Sequence, residues 1–142
     1  MVWRVFVLAI LLSTISAGAV ELRPVKVTRG THGLTHVPVD VTNAGTEALT
    51  CTIQLAHWYS AAIVDTAPGA SAHIDLWFAP ASGTYLILND KQDNMPVESL
   101  WCGIAGRAYE TRAAIALDRQ SRTAPAARKI SCSVSGSHLS CK

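Results

Sequence analysis

The sequence has no Cys-x-x-Cys pair, no long apolar run outside its first residues, and none of the linear signatures of catalysis. G-x-S-x-G, H-E-x-x-H, S-x-x-K and a phosphate-cradling glycine loop are all missing. The absence of paired cysteines at short spacing argues against a thiolate zinc site. Basic residues are few and not interleaved with aromatics, which argues against nucleic acid as a partner. No segment carries the period of an amphipathic helix, so an all-α domain is excluded. Carboxylates are sparse on the polar faces, and an enzyme would have little to work with.

What is present begins with an export signal. Arg4 precedes an apolar run over residues 5–12, and small residues end in Ala17-Gly18-Ala19. A charged start, a short apolar stretch and an A-x-A exit make a secretory signal peptide over residues 1–19. The run is shorter than the roughly 18 to 20 residues that span a bilayer. Removing 19 of 142 residues leaves 123, the size of one domain. No transmembrane segment is expected after signal removal, and a periplasmic or secreted location is. All four cysteines, Cys51, Cys102, Cys132 and Cys141, fall in the exported part, and an even count there reads as two disulfides.

Strand follows strand. Val37, Val39 and Val41 alternate with Pro38 and Asp40. After the turn residues 43–46, Leu49, Cys51, Ile53 and Leu55 alternate with polar residues. Pro68-Gly69 marks the next turn, and Ala72, Ile74, Leu76 and Phe78 then share one face, opposite Ser71, His73, Asp75 and Trp77. Further strands are expected over residues 22–28, 84–88, 97–104 and 108–117. About seven short strands predict one antiparallel β-sandwich over residues 20–118. Residues 119–129 read as a linker.

The stretch 39–78 combines a strand ending in Asn43-Ala44-Gly45, an alternating strand from Leu49 to Trp58, and Pro68-Gly69 before another strand. In this it resembles bacterial extracytoplasmic immunoglobulin-like modules. The resemblance implies an immunoglobulin-like sandwich and carries no active site. It departs from antibody-type domains: Trp58 follows Cys51 by only seven positions, and Leu100 stands two before Cys102 where those domains have a tyrosine.

Two disulfides are predicted. Cys51 and Cys102 are in phase with the apolar residues of their strands, so they should join to each other. At the C-terminus, Ile130, Cys132 and Val134 alternate with serines, and Leu139 and Cys141 alternate with His138 and Ser140. Gly136-Ser137 suits a two-residue type II′ turn. That turn pairs Cys132 with Cys141 and makes residues 130–142 a disulfide-bonded hairpin with one apolar face. This face should lie on the sandwich or on a partner.

Three groups are candidates for function. Trp58 and Trp77 are out of phase with the core, and exposed tryptophans mark contact surfaces unless a loop covers them. Residues 118–142 hold five basic residues against one acidic, whereas residues 20–117 hold six against nine. Arg119, Arg122, Arg128 and Lys129 could therefore meet an acidic protein or envelope surface. His32 and His36 could ligate a metal, with His57, His73 or Met95 as further donors, and copper would suit them. On an extended strand, however, the pair would stand roughly 13 Å apart at about 3.3 Å per residue. The polar loop 89–94 offers oxygen ligands, but not at the spacing of a calcium hand. The leading expectation is a non-enzymatic exported module, without a cofactor, that binds another envelope or secreted macromolecule, a protein first of all. The alternative is a small periplasmic metal- or ligand-binding protein using His32, His36 and their neighbours.

Overall fold

The structure, a computed structural model, describes residues 26–56, 59–119 and 122–142. The expected signal peptide lies outside them, as do His57, Trp58 and most of the strand expected over residues 22–28; residues 26–28 are not a strand.

Among the described residues there are eleven strands and no helix. They are β1 (Thr35–His36), β2 (Val39–Asn43), β3 (Leu49–Leu55), β4 (Tyr59–Thr66), β5 (Ser71–Ile74), β6 (Trp77–Ala79), β7 (Thr84–Leu88), β8 (Asn94–Ile104), β9 (Ala113–Ile115), β10 (Arg128–Ser135) and β11 (His138–Cys141). They form two sheets. One runs β1-β6-β7-β8-β3-β4, with β9 also on β8; the other runs β11-β10-β2-β5. Inward residues from both sheets make one core, with Val41, Cys51, Ile53, Leu76, Phe78 and Cys102 shut off from solvent.

The count exceeds seven for physical reasons. The run from Ser71 to Phe78 keeps its alternation but changes sheets. Ile74 ends β5 in the small sheet and Trp77 begins β6 in the large one, while Ala72, Ile74, Leu76 and Phe78 all stay inside. The stretch paired with it, residues 35–43, does the same between β1 and β2. The strand expected over residues 108–117 shrinks to β9, because Gly106, at φ 83°, opens a turn closed by hydrogen bonds from Arg107 N to Ile104 O and Thr111 N to Arg107 O. β4 was not expected at all, since its exposures follow no clean alternation. A bulge at Ile63 breaks its register: Cys51 faces Val64, and Thr52 faces Ala62.

Both predicted disulfides are present. Cys51 and Cys102 sit opposite each other on β3 and β8, with Cα atoms 3.9 Å apart. Cys132 joins Cys141 across the β10–β11 hairpin, whose register pairs Val134 with Leu139 and Ser135 with His138, as expected. Gly136 has φ 64° and Ser137 does not share the positive sign, which a II′ turn requires. Two disulfides suit an oxidising compartment outside the cytoplasm.

The hairpin is not a tethered appendage. β10 runs parallel to β2 from Arg128 opposite Val39 to Cys132 opposite Asn43, so the expectation of purely antiparallel sheets is corrected here. The basic residues Arg128 and Lys129 are strand residues, not linker. Ile130, Cys132 and Leu139 belong to the common core.

Asn43 ties the turns together. Its side chain, fully buried, donates to Glu47 O and Thr66 O and accepts from Gly45 N. Its main chain exchanges bonds with Ala70 O and Gly69 N at the Pro-Gly turn. Asn43→Ala strands two carbonyls and one amide. At roughly 1 kcal/mol for each hydrogen bond, the loss should be about 3 kcal/mol. Urea unfolding checks this, and a loss under about 1 kcal/mol would show that water replaces the amide.

Candidate functional site

Where the chain changes sheets, two antiparallel stretches travel together. His36 pairs with Trp77 at one end, and Asp40 pairs with His73 at the other. Between them Val37 N donates to Leu76 O. Val37, Val39, Ile74 and Leu76 point inward. Period-2 alternation therefore turns His36, Asp40, His73 and Asp75 outward together.

The four side chains form a continuous network. His73 Nδ1 lies 2.6 Å from Asp40 Oδ1, and His73 Nε2 lies 3.2 Å from Asp75 Oδ1. His36 Nε2 lies 2.8 Å from the same Asp75 oxygen. The Trp77 ring packs on His36 with centroids 4.8 Å apart. All four polar side chains remain open to solvent, from 43% for Asp40 to 68% for Asp75.

The hydrogen bond to Asp40, helped by the charge of Asp75, raises the His73 pKa above the ordinary histidine value. The bond from His36, reinforced by His73, lowers that of Asp75 below the ordinary carboxylate value. The raised histidine stabilises the fold at pH below its unfolded pKa, and this is lost as pH rises through the folded pKa. The lowered carboxylate stabilises above its unfolded pKa, and this is lost as pH falls through the folded one. The network is therefore complete between about pH 4 and pH 6.5. In an NMR titration, His73 should have a midpoint above that of an unstructured histidine, and Asp40→Asn should lower it. A wild-type midpoint at or below the reference would contradict the network.

The chain matches no protein-family model, and no curated protein is significantly similar to it. The site must be read from its own chemistry.

The expected residues are distributed as follows. Trp77 is half-buried beneath His36. Arg119 donates to Val97 O and Glu98 O and lies 5.6 Å from the Tyr85 ring. Arg128 donates to Ala116 O. These two guanidiniums hold main-chain carbonyls. Arg122 is exposed, and Lys129 is exposed opposite Asp40. His32 and His36 do not act as a pair: His36 gathers with His73 and Asp75, while His32 sits in the turn before β1 and lines a separate cleft. In the loop 89–94, Asp93 is held by Arg29 and Asn89.

That cleft measures about 650 Å³. Its walls include Val27, Leu34, Leu55, Tyr59, Leu86 and Met95. The large hydrophobics Val27 and Tyr59, 55% and 62% exposed, both lie on it. Tyr59 is also the first residue of β4, an edge strand that pairs among the described residues with β3 alone. The other edges are short: β1 has two residues, β9 three, and β5 and β11 four each, against eight for β4. Among the described residues no helix is long and apolar enough to cross a membrane.

Proposed function

We propose that the protein is an exported, non-enzymatic, immunoglobulin-like module that binds an extended segment of another periplasmic or secreted protein along β4. One observation carries this reading: the longest open edge strand among the described residues begins at the mouth of an apolar cleft. A sheet edge offers main-chain hydrogen bonds, and a pocket beside it gives side-chain selectivity. Natural edges are blunted by lysine, proline or a bulge. β4 has no lysine or proline, and its bulge at Ile63 leaves residues 59–62 regularly paired with β3 and free on the other side among the described residues. The cleft lies within the usual size range of ligand sites. The immunoglobulin-like assignment draws on the two sheets around one core and on Asn43, which links the Asn-x-Gly and Pro-Gly turns. Export draws on the signal-like first residues and the two disulfides.

Selection of a random peptide library against the folded protein tests the reading. Bound peptides should carry alternating apolar residues and slow amide hydrogen exchange in β4, and Tyr59→Asp should weaken them. Protection confined to another surface, or no selected peptide, would refute it.

A further inference from the structure

We propose that His36, His73 and Asp75 form a surface site for a divalent first-row transition metal ion, copper(II) or zinc, with Asp40 orienting His73 from behind. The site is separate from β4 and its cleft.

The donor spacing carries the proposal. His36 Nε2 and His73 Nε2 stand 2.8 and 3.2 Å from one Asp75 oxygen, and the three donor atoms all lie within 4.8 Å of one another. Two donors bound about 2.0 to 2.1 Å from one ion stand about 2.9 Å apart at right angles and about 3.4 Å apart at the tetrahedral angle. Small side-chain rotations bring the trio to such distances.

The second observation is the hydrogen bond between His73 Nδ1 and Asp40 at 2.6 Å. A carboxylate that accepts the Nδ1 proton leaves the Nε2 lone pair facing Asp75 and His36. That is the carboxylate–histidine–metal arrangement found around zinc, in which the outer carboxylate fixes the tautomer and strengthens the ligand. Without a cation, that lone pair would face a carboxylate oxygen, and the contact is favourable only when Nε2 carries a proton. A metal ion can take the place of that proton.

The scaffold is also preformed. The ligands come from two chain segments that are paired with each other in both sheets. The Trp77 ring backs His36. Two imidazoles favour a transition ion over calcium or magnesium, and copper(II) binds such a set more tightly than zinc. With three protein donors among the described residues and open exposure, the ion keeps coordination positions for water or for a group from a partner.

Titration calorimetry of the tag-free protein with copper(II) and with zinc tests the site. One equivalent should bind in preference to any weaker surface sites. His36→Ala, His73→Ala and Asp75→Asn should each weaken it by at least 10-fold to 100-fold. Asp40→Asn should weaken it within the range typical of lost outer-shell partners, 10-fold to 100-fold. His32→Ala should leave it unchanged. Copper should quench the fluorescence of Trp77, and Trp77→Phe should remove that quenching while copper still binds. The electron paramagnetic resonance spectrum should show two imidazole nitrogens, and one in His36→Ala. All substituted positions are at least partly open to solvent, and thermal unfolding confirms that each variant is folded. The proposal fails if no equivalent binds, if the His73 and Asp75 variants bind as tightly as the parent, or if His32→Ala abolishes binding.

Discussion

A chain ending at Ala127 is expected not to fold. β10 lies between β11 and β2, and its loss leaves, among the described residues, only β2 and β5 to cover a much wider sheet. Ile130, Cys132 and Leu139 are each at most 6% exposed, and all leave the core together. Burial of an Ile or Leu side chain is worth about 1.5 to 3 kcal/mol. The deletion also opens the buried faces of Val39 and Val41 and strands the pairing groups of β2, as well as Ala44 N just beyond it, which donates to Cys132 O. The sum is of order 6 to 10 kcal/mol, comparable with the whole stability of a domain this size. The amide NMR spectrum should collapse to the dispersion of an unfolded chain. A dispersed spectrum would mean that the small sheet survives on two strands, and that residues 128–142 are the appendage their composition suggests.

That last contrast shows what was legible and what was not. The hairpin register follows from local facts: alternation, a glycine-first turn and the reach of a disulfide agree on one answer. The partner of the hairpin is not local. A parallel pair needs a long crossover, and no turn residue announces which distant strand receives it. Cys51 and Cys102 were legible because each shares the phase of its apolar neighbours. β4 was not, because an edge strand with a bulge loses the alternation that identifies a half-buried strand.

The site divides in the same way. That His73, Asp75 and Trp77 share a face opposite Ile74 and Leu76 can be read from spacing alone. That the same face carries His36 and Asp40 depends on the pairing of two segments more than thirty residues apart, as their hydrogen bonds show. A metal shared by His32 and His36 would need a turn that folds the two rings together and a third ligand. A strand sends residues four apart to the same face, too far apart for one ion, and the glycine turn at Gly33 carries His32 away from the sheet. The useful signal was that His36 and Asp40 share the polar phase of one strand run and His73 and Asp75 that of another, on strands that could face each other.

Replacing Cys51 and Cys102 together by alanine should cost about 4 kcal/mol. The bridge spans 51 residues, and crosslinking removes that loop's freedom from the unfolded chain, roughly 4 kcal/mol by the chain-entropy relation. The Cys132–Cys141 bridge spans only nine, for which the same relation gives about 2.6 kcal/mol. Packing adds to the difference. Cys51 and Cys102 are both fully buried on β3 and β8, so alanine there leaves unfilled volume in the middle of the core. Cys141 is partly open, and alanine there leaves less. Denaturant unfolding of the two double variants measures both losses. The variant without Cys51–Cys102 should also show the larger rise in denaturant dependence, because its unfolded chain expands more. Equal losses, or a larger loss at Cys132–Cys141, would mean that the hairpin bridge governs stability and that loop entropy does not.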